Sequence, residues 1–127
     1  MNKEFIPYEQ ALALNELGFD DEVLKVYDID SSESELFNYG EVLTGDDELY
    51  APLYQQAFRW FREKYNLYIS IHADTDNGEV EGLYYSITEE GWLNCYESLE
   101  NDLLYKTYEE AELECLKKLI EIVKETL

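Results

Sequence analysis

The sequence predicts an α+β domain: an antiparallel sheet of four or five strands with three helices, in the order α-β-β-α-β-β-(β)-α. Three observations lead there. Two prolines and a Thr-x-x-Glu box open stretches whose apolar residues recur at helical spacing. Between them lie runs that alternate or are rich in β-branched and aromatic residues. The pair Asn77-Gly78 joins two of those runs, and Asn-Gly is the strongest short hairpin signal because both residues tolerate positive φ. No internal repeat and no Pro-, Gly- or Ser-rich linker interrupts the 127 residues, so one acidic globular domain over 1–127 is expected.

Pro7 begins a first helix over residues 7–17, where Tyr8, Ala11, Leu12, Leu14 and Leu17 share a face until Gly18 supplies a stop. Val23 to Ile29 is β-branched and partly alternating, Asp30 to Glu35 turns the chain, and Leu36 to Leu43 returns as the second arm of a hairpin. Pro52 opens the helix Leu53–Tyr65, with apolar positions 53/54, 57/58, 61 and 65 and with Trp60 and Phe61 as core anchors. Leu67, Ile69, Ile71 and Ala73 alternate with Tyr68, Ser70 and His72, and after the Asn-Gly turn Val80 to Ile87 completes a second hairpin. A fifth strand is expected from Trp92 to Glu97, and residues 98–106 carry no signal that assigns them. Thr107 and Glu110 form a capping box ahead of the stripe Tyr108, Ala111, Cys115, Leu116, Leu119, Ile120 and Val123. Glu109, Glu110, Glu112 and Glu114 near its start and Lys117, Lys118 and Lys124 near its end suit the helix dipole, with Glu114 and Lys118 as an i,i+4 pair.

Thirty Asp and Glu stand against nine Lys and Arg, a formal charge of −21. Such a field repels phosphates, which excludes direct binding to nucleic acid, and it disfavours an anionic membrane surface. The chain is nonetheless no disordered acidic tail: 46% of its residues are apolar, and 12 Tyr, 5 Phe and 2 Trp supply the bulk that drives collapse. No apolar run reaches the roughly 18 residues of a membrane span, and no signal peptide is read at the N-terminus. Cys95 and Cys115 lack companions at metal-ligand spacing and read as reduced thiols.

The charge is uneven. Residues 1–50 carry 14 acids and 2 bases, whereas residues 51–66 carry 1 acid and 3 bases. The helices thus read as scaffold and the hairpins as the display surface, with Asp20, Asp21, Glu22, Asp28, Asp30, Glu33, Glu35, Asp46, Asp47 and Glu48 as the residues expected to bind a partner. A charge near −21 exceeds the magnitude of roughly 2–8 that solubility asks of a small domain. A basic protein surface is therefore the expected partner, and a cationic nucleic-acid groove is the natural case, since carboxylates can engage the same Lys and Arg that contact phosphates. Interspersed tyrosines suit an interface as well.

Other constellations fall to simpler readings. Asp74 to Glu79 looks like the start of a calcium loop, yet Gly78 at the sixth position places Ala73 first and Tyr84 twelfth, so both end carboxylates are missing. His72, the single histidine, reads as a sheet-face residue, and Cys115 lies on an apolar helical stripe. Pairs of carboxylates are uninformative among thirty, and Arg59, Arg62 and Lys64 read as partners for surrounding acids. Neither a catalytic residue nor a metal site nor a cofactor is expected.

Three stretches carry a resemblance: Asn2-Lys3-Glu4-Phe5-Ile6-Pro7-Tyr8-Glu9-Gln10-Ala11-Leu12-Ala13-Leu14 with Glu16-Leu17-Gly18-Phe19-Asp20; Ala51-Pro52-Leu53-Tyr54-Gln55-Gln56-Ala57-Phe58-Arg59-Trp60-Phe61-Arg62-Glu63-Lys64-Tyr65; and Tyr108-Glu109-Glu110-Ala111-Glu112-Leu113-Glu114-Cys115-Leu116. Together they resemble small phage and prophage proteins of the Bacteroidetes. The resemblance spans all three helices, somewhat under half the chain, and brings no catalytic motif. It implies a phage accessory protein in the cytoplasm of a bacterial host. A strongly acidic phage protein is in turn similar to anti-CRISPR inhibitors that occupy nucleic-acid sites on host nucleases, by analogy of charge and origin. The expected partner is then a host CRISPR effector nuclease or its guide-RNA complex, with the RNA-targeting type VI-B enzymes of that phylum as the sharpest case. The alternative is a structural or regulatory phage protein that acts through protein–protein assembly.

Overall fold

The computed structural model describes residues 4–28, 35–39, 48–89 and 94–126. Among them are three α-helices and two antiparallel three-stranded sheets, an α+β architecture: α1 (Tyr8–Glu16), β1 (Lys25–Asp28), β2 (Leu36–Asn38), β3 (Glu48–Ala51), α2 (Tyr54–Tyr65), β4 (Leu67–Asp76), β5 (Glu79–Glu89), β6 (Asn94–Glu97) and α3 (Tyr108–Thr126). The chain divides into two compact units, residues 1–57 and 58–127, with α2 running across the division. Two separate sheets replace the single sheet of four or five strands that the sequence suggested. The added strand is β3, hidden in a run that opens Thr-Gly-Asp-Asp, where only the alternation of buried Leu49 and Ala51 marks a strand. Ile29, residues 40–43 and Trp92–Leu93, included in the expected strands, lie outside the described residues.

In the first unit Pro7 is the N-cap of α1 and Gly18 ends it. Gly18 takes φ 97°, its N–H bonds the Asn15 carbonyl, and the Phe19 N–H bonds the Leu14 carbonyl at 3.0 Å. These two bonds make a Schellman stop, in which buried Phe19 lies where it can cover buried Leu14. The sheet order is β2-β1-β3, with Val26 opposite both Phe37 and Tyr50. Residues 4–6 run against 52–54, joined by Ile6 N–H to the Pro52 carbonyl and Tyr54 N–H to the Glu4 carbonyl, each 3.0 Å. Pro52 therefore precedes the helix rather than occupying its first turn. The Tyr27 hydroxyl donates to the Ile6 carbonyl at 2.7 Å, and its ring meets Tyr8 edge-on at 5.5 Å, fastening the sheet to α1.

In the second unit Asn66, in the left-handed region at φ 58°, caps α2 and turns the chain into β4. The β4–β5 hairpin closes at Asn77 and Gly78, both with positive φ as a two-residue turn requires. Helix α3 packs on β4 and β5 and buries Ala111, Cys115, Leu116, Leu119, Ile120 and Val123, whereas Tyr108, read from the sequence as the first residue of this stripe, is 50% exposed. Tyr85 stacks between Tyr96 and Tyr105 on the same face, and Lys118 lies 4.4 Å from the centre of the Tyr96 ring. Lys118 therefore bonds Glu121 and Lys117 bonds Glu114, in place of the expected Glu114–Lys118 pair.

The segment that resisted assignment, 98–106, follows the edge of β5. Ser98 exchanges two bonds with Tyr85, from its N–H to the Tyr85 carbonyl and from the Tyr85 N–H to its hydroxyl. A 3-10 turn at Leu99–Asn101 then leaves the edge, and Tyr105 rejoins it through paired 2.8 Å bonds to Leu83. Gly82 sits beneath this crossing, where a Cβ would fall 2.6 Å from Leu104. Among the described residues no helix is long and apolar enough to cross a membrane.

Two stability outcomes follow from α3. The Thr107 hydroxyl accepts the Glu110 N–H at 3.1 Å, so Thr107→Ala should cost about 1 kcal/mol in chemical denaturation. Glu112 is held above the ordinary carboxylate range by burial first and by the Glu109 carboxylate second. A raised folded pKa means that the fold favours the protonated form, so this penalty is absent below the unfolded value and grows as pH rises through the folded one. Glu112→Gln should accordingly melt above the parent at about pH 7 and lose that advantage near about pH 4, as thermal scans of both proteins would show.

Candidate partner-binding surface

The first acidic group is the loop Asp20-Asp21-Glu22, held between two fixed points. Phe19 anchors it behind the Schellman stop, and Val23 is buried ahead of β1. The side-chain amide of Gln56 donates to the Glu22 carbonyl and fixes the loop from α2. Asp20 and Glu22 are exposed and Asp21 half-buried, so three consecutive carboxylates are presented on a tethered backbone.

The second group lies at one end of the first sheet. Asp28, the last residue of β1, pairs in register with Glu48, the first residue of β3, and exposed Glu35 immediately precedes β2 where Leu36 pairs with Tyr27. Three strand ends thus bring acids to neighbouring positions. Asp30, Glu33, Asp46 and Asp47 lie outside the described residues.

Tyr50 links the two groups. Its phenol is held above the ordinary value first by a hydrogen bond with Tyr39, then by burial, and then by the charge of its neighbours, among them the carboxylates of Glu48 and Asp20. The loop acid and the sheet-end acid therefore act on one tyrosine. The Tyr39 and Tyr50 rings lie 5.9 Å apart, Tyr39 is 56% exposed, and Leu24, whose carbonyl accepts the Tyr39 N–H, is 70% exposed. Aromatic and apolar surface rimmed by carboxylates is chemically suited to guanidinium and ammonium groups, which can lie on an aromatic face while bonding a carboxylate. The two tyrosines were not among the residues singled out from the sequence. Tyr50 could have been, since it stands two residues from Glu48 on one strand and so shares its face, whereas Tyr39 enters only through the pairing of β2 with β1.

The basic side chains take unexpected partners. Lys25 donates to the Asn38 side chain, and Lys64 lies 5.1 Å from the Trp60 ring centre and 5.8 Å from that of Tyr65. Arg59 and Arg62 are exposed and form no ion pair among the described residues, so the expected neutralisation of nearby acids by this cluster is absent there. His72 stacks on Tyr84 at 4.8 Å with Nε2 3.2 Å from the Ser86 hydroxyl, a sheet-face role. Cys115 is fully buried, and burial pushes its thiol up, away from nucleophilic use. Among the described residues no group of three or more His, Cys, Asp or Glu converges closely enough to hold a metal ion.

The acidic loop should be separable from the fold. Changing Asp20 and Asp21 to Asn and Glu22 to Gln together should leave the melting temperature at or above that of the parent, because self-repulsion falls. Phe19→Ala, which empties the anchor behind the loop, should cost about 3–5 kcal/mol in the same experiment.

No protein-family model, curated protein or solved structure matches this chain.

Proposed function

We propose that this protein is a phage-encoded, non-enzymatic inhibitor that docks its acidic surface on the basic nucleic-acid-binding groove of a host CRISPR effector nuclease in the bacterial cytoplasm, with an RNA-targeting type VI-B enzyme as the foremost candidate. The observation that supports this most is the placement of Glu35 and Glu48 at strand ends on either side of β1, in the sheet that also carries Tyr50 and the exposed Tyr39. The charge of the whole chain points the same way, as does the resemblance of its helices to phage proteins. Docked carboxylates would occupy Lys and Arg side chains that otherwise hold phosphates, and guide or target RNA would be displaced or misplaced.

A second reading, a structural or regulatory phage protein that acts by assembly, draws on the exposure of Leu24 and Tyr39. Salt separates the two. Charge-led docking weakens as the Debye length shrinks to about 3 Å at 1 M, whereas apolar assembly persists.

The test is capture of the tagged protein's partners from a CRISPR-bearing host lysate at low and high salt, followed by titration of the purified effector. Reversing Asp20, Asp21 and Glu22 to Lys should weaken binding by about tenfold or more while circular dichroism stays unchanged. An affinity indifferent to both salt and charge reversal would overturn the proposal.

A further inference from the structure

The outer edge of β4 belongs to none of the features described above. β4 is ten residues long and lies at the end of the order β4-β5-β6, and among the described residues no strand lies beyond it. In an antiparallel edge strand every second residue turns its N–H and C=O outward, which makes a row of groups ready to pair. Soluble proteins blunt such edges with Lys, Pro or a bulge. Ile69-Ser70-Ile71-His72-Ala73 contains no charged residue and no proline, although 31% of the chain is charged. The one irregularity in this pairing near β4's end lies between Asp74 and Thr75, outside the stretch.

Burial gives a second, independent sign. Ile69 and Ile71 pair with Ile87 and Tyr85, which are 0% and 3% exposed on the face covered by α3. Both isoleucines are nevertheless only half-buried. Since α3 covers their face and β5 flanks one side, the side left uncovered among the described residues is the one toward the outer edge of β4.

We propose that β4 pairs with β4 of a second copy, antiparallel about a twofold axis at Ile71, joining two three-stranded sheets into one of six strands. Charge selects the direction and excludes the antiparallel registers centred on residues 74–76, and the apolar row places the axis at Ile71. Parallel pairing in register would set Asp74 against Asp74 and Asp76 against Asp76, and an antiparallel register centred on Asp74 or on Asp76 would set that one residue against its own copy. With the axis at Ile71, Ile69 faces Ala73, Ser70 faces His72, and Tyr68, 42% exposed, faces Asp74, so no carboxylate opposes another. The aspartates leave at opposite ends of the joined sheet, and the half-buried isoleucines become a continuous apolar row. A strand from an unrelated protein would meet no such matched ends. This pairing uses no residue of the acidic surface, so each proposal can fail without the other.

Sedimentation velocity of the full chain across a concentration series tests it. A monomer–dimer equilibrium is expected, and dimer should increase with salt, because screening weakens the repulsion between two copies of charge −21. That response is opposite to the one expected for a basic partner. Tyr68→Glu places carboxylates in opposition twice over and should weaken the dimer by about tenfold, and adding Asp74→Lys to that variant should restore it. Thermal melting of each variant checks that the fold is intact. A protein that stays monomeric at high concentration and high salt would overturn the proposal, as would a dimer unmoved by Tyr68→Glu or left weakened in the double variant.

Discussion

Mutual repulsion among thirty carboxylates is the constraint under which every element of this chain forms, and aromatic burial is what the fold sets against it. Tyr27 fastens the first sheet to the N-terminal segment, Tyr85 with Tyr96 and Tyr105 forms a stacked layer beneath α3, and Trp60 and Phe61 fill the buried side of α2. Tyrosine suits this task because its ring supplies apolar area while its hydroxyl can still be satisfied at the boundary of a core. Among the described residues, Asp20, Glu22 and Glu35 are correspondingly exposed outside the helices and strands.

The distribution of lysines extends the same logic. Lys64 and Lys118 lie over aromatic rings, so part of the small supply of positive charge reinforces buried layers, although Lys118 also reaches Glu121. The loop Asp20-Asp21-Glu22 and the sheet end at Glu48 are thus left with a strong local field, and they act together on Tyr50.

Much of this was legible in the residues. Gly18, the Asn77-Gly78 pair and the Thr107–Glu110 box each fix a backbone geometry through local chemistry, and each formed where expected. The apolar stripe of α3 was readable because a helix long enough to repeat its period declares its buried face. β3 was missed because four residues give two alternations at most, and residues 98–106 because their order comes from β5: Ser98 and Tyr105 hold an edge that only the folded sheet provides. The acidic surface was half legible. Its carboxylates stand out by composition, but the union of loop and sheet end depends on β1–β3 pairing and on Tyr39, which local sequence does not disclose.

The detour between Ser98 and Tyr105 also bears on how far assembly can proceed. On the far side of the second sheet β6 has four residues among those described before the chain swings out into a 3-10 turn, so the described margin presents too little regular backbone to template a further strand. A sheet able to grow at both margins adds copies without limit and yields fibres, whereas one with a single usable margin is exhausted once two copies meet. By interrupting its own border, the described chain would hold association through this sheet to two copies, which protects an uncharged surface strand from open-ended polymerisation.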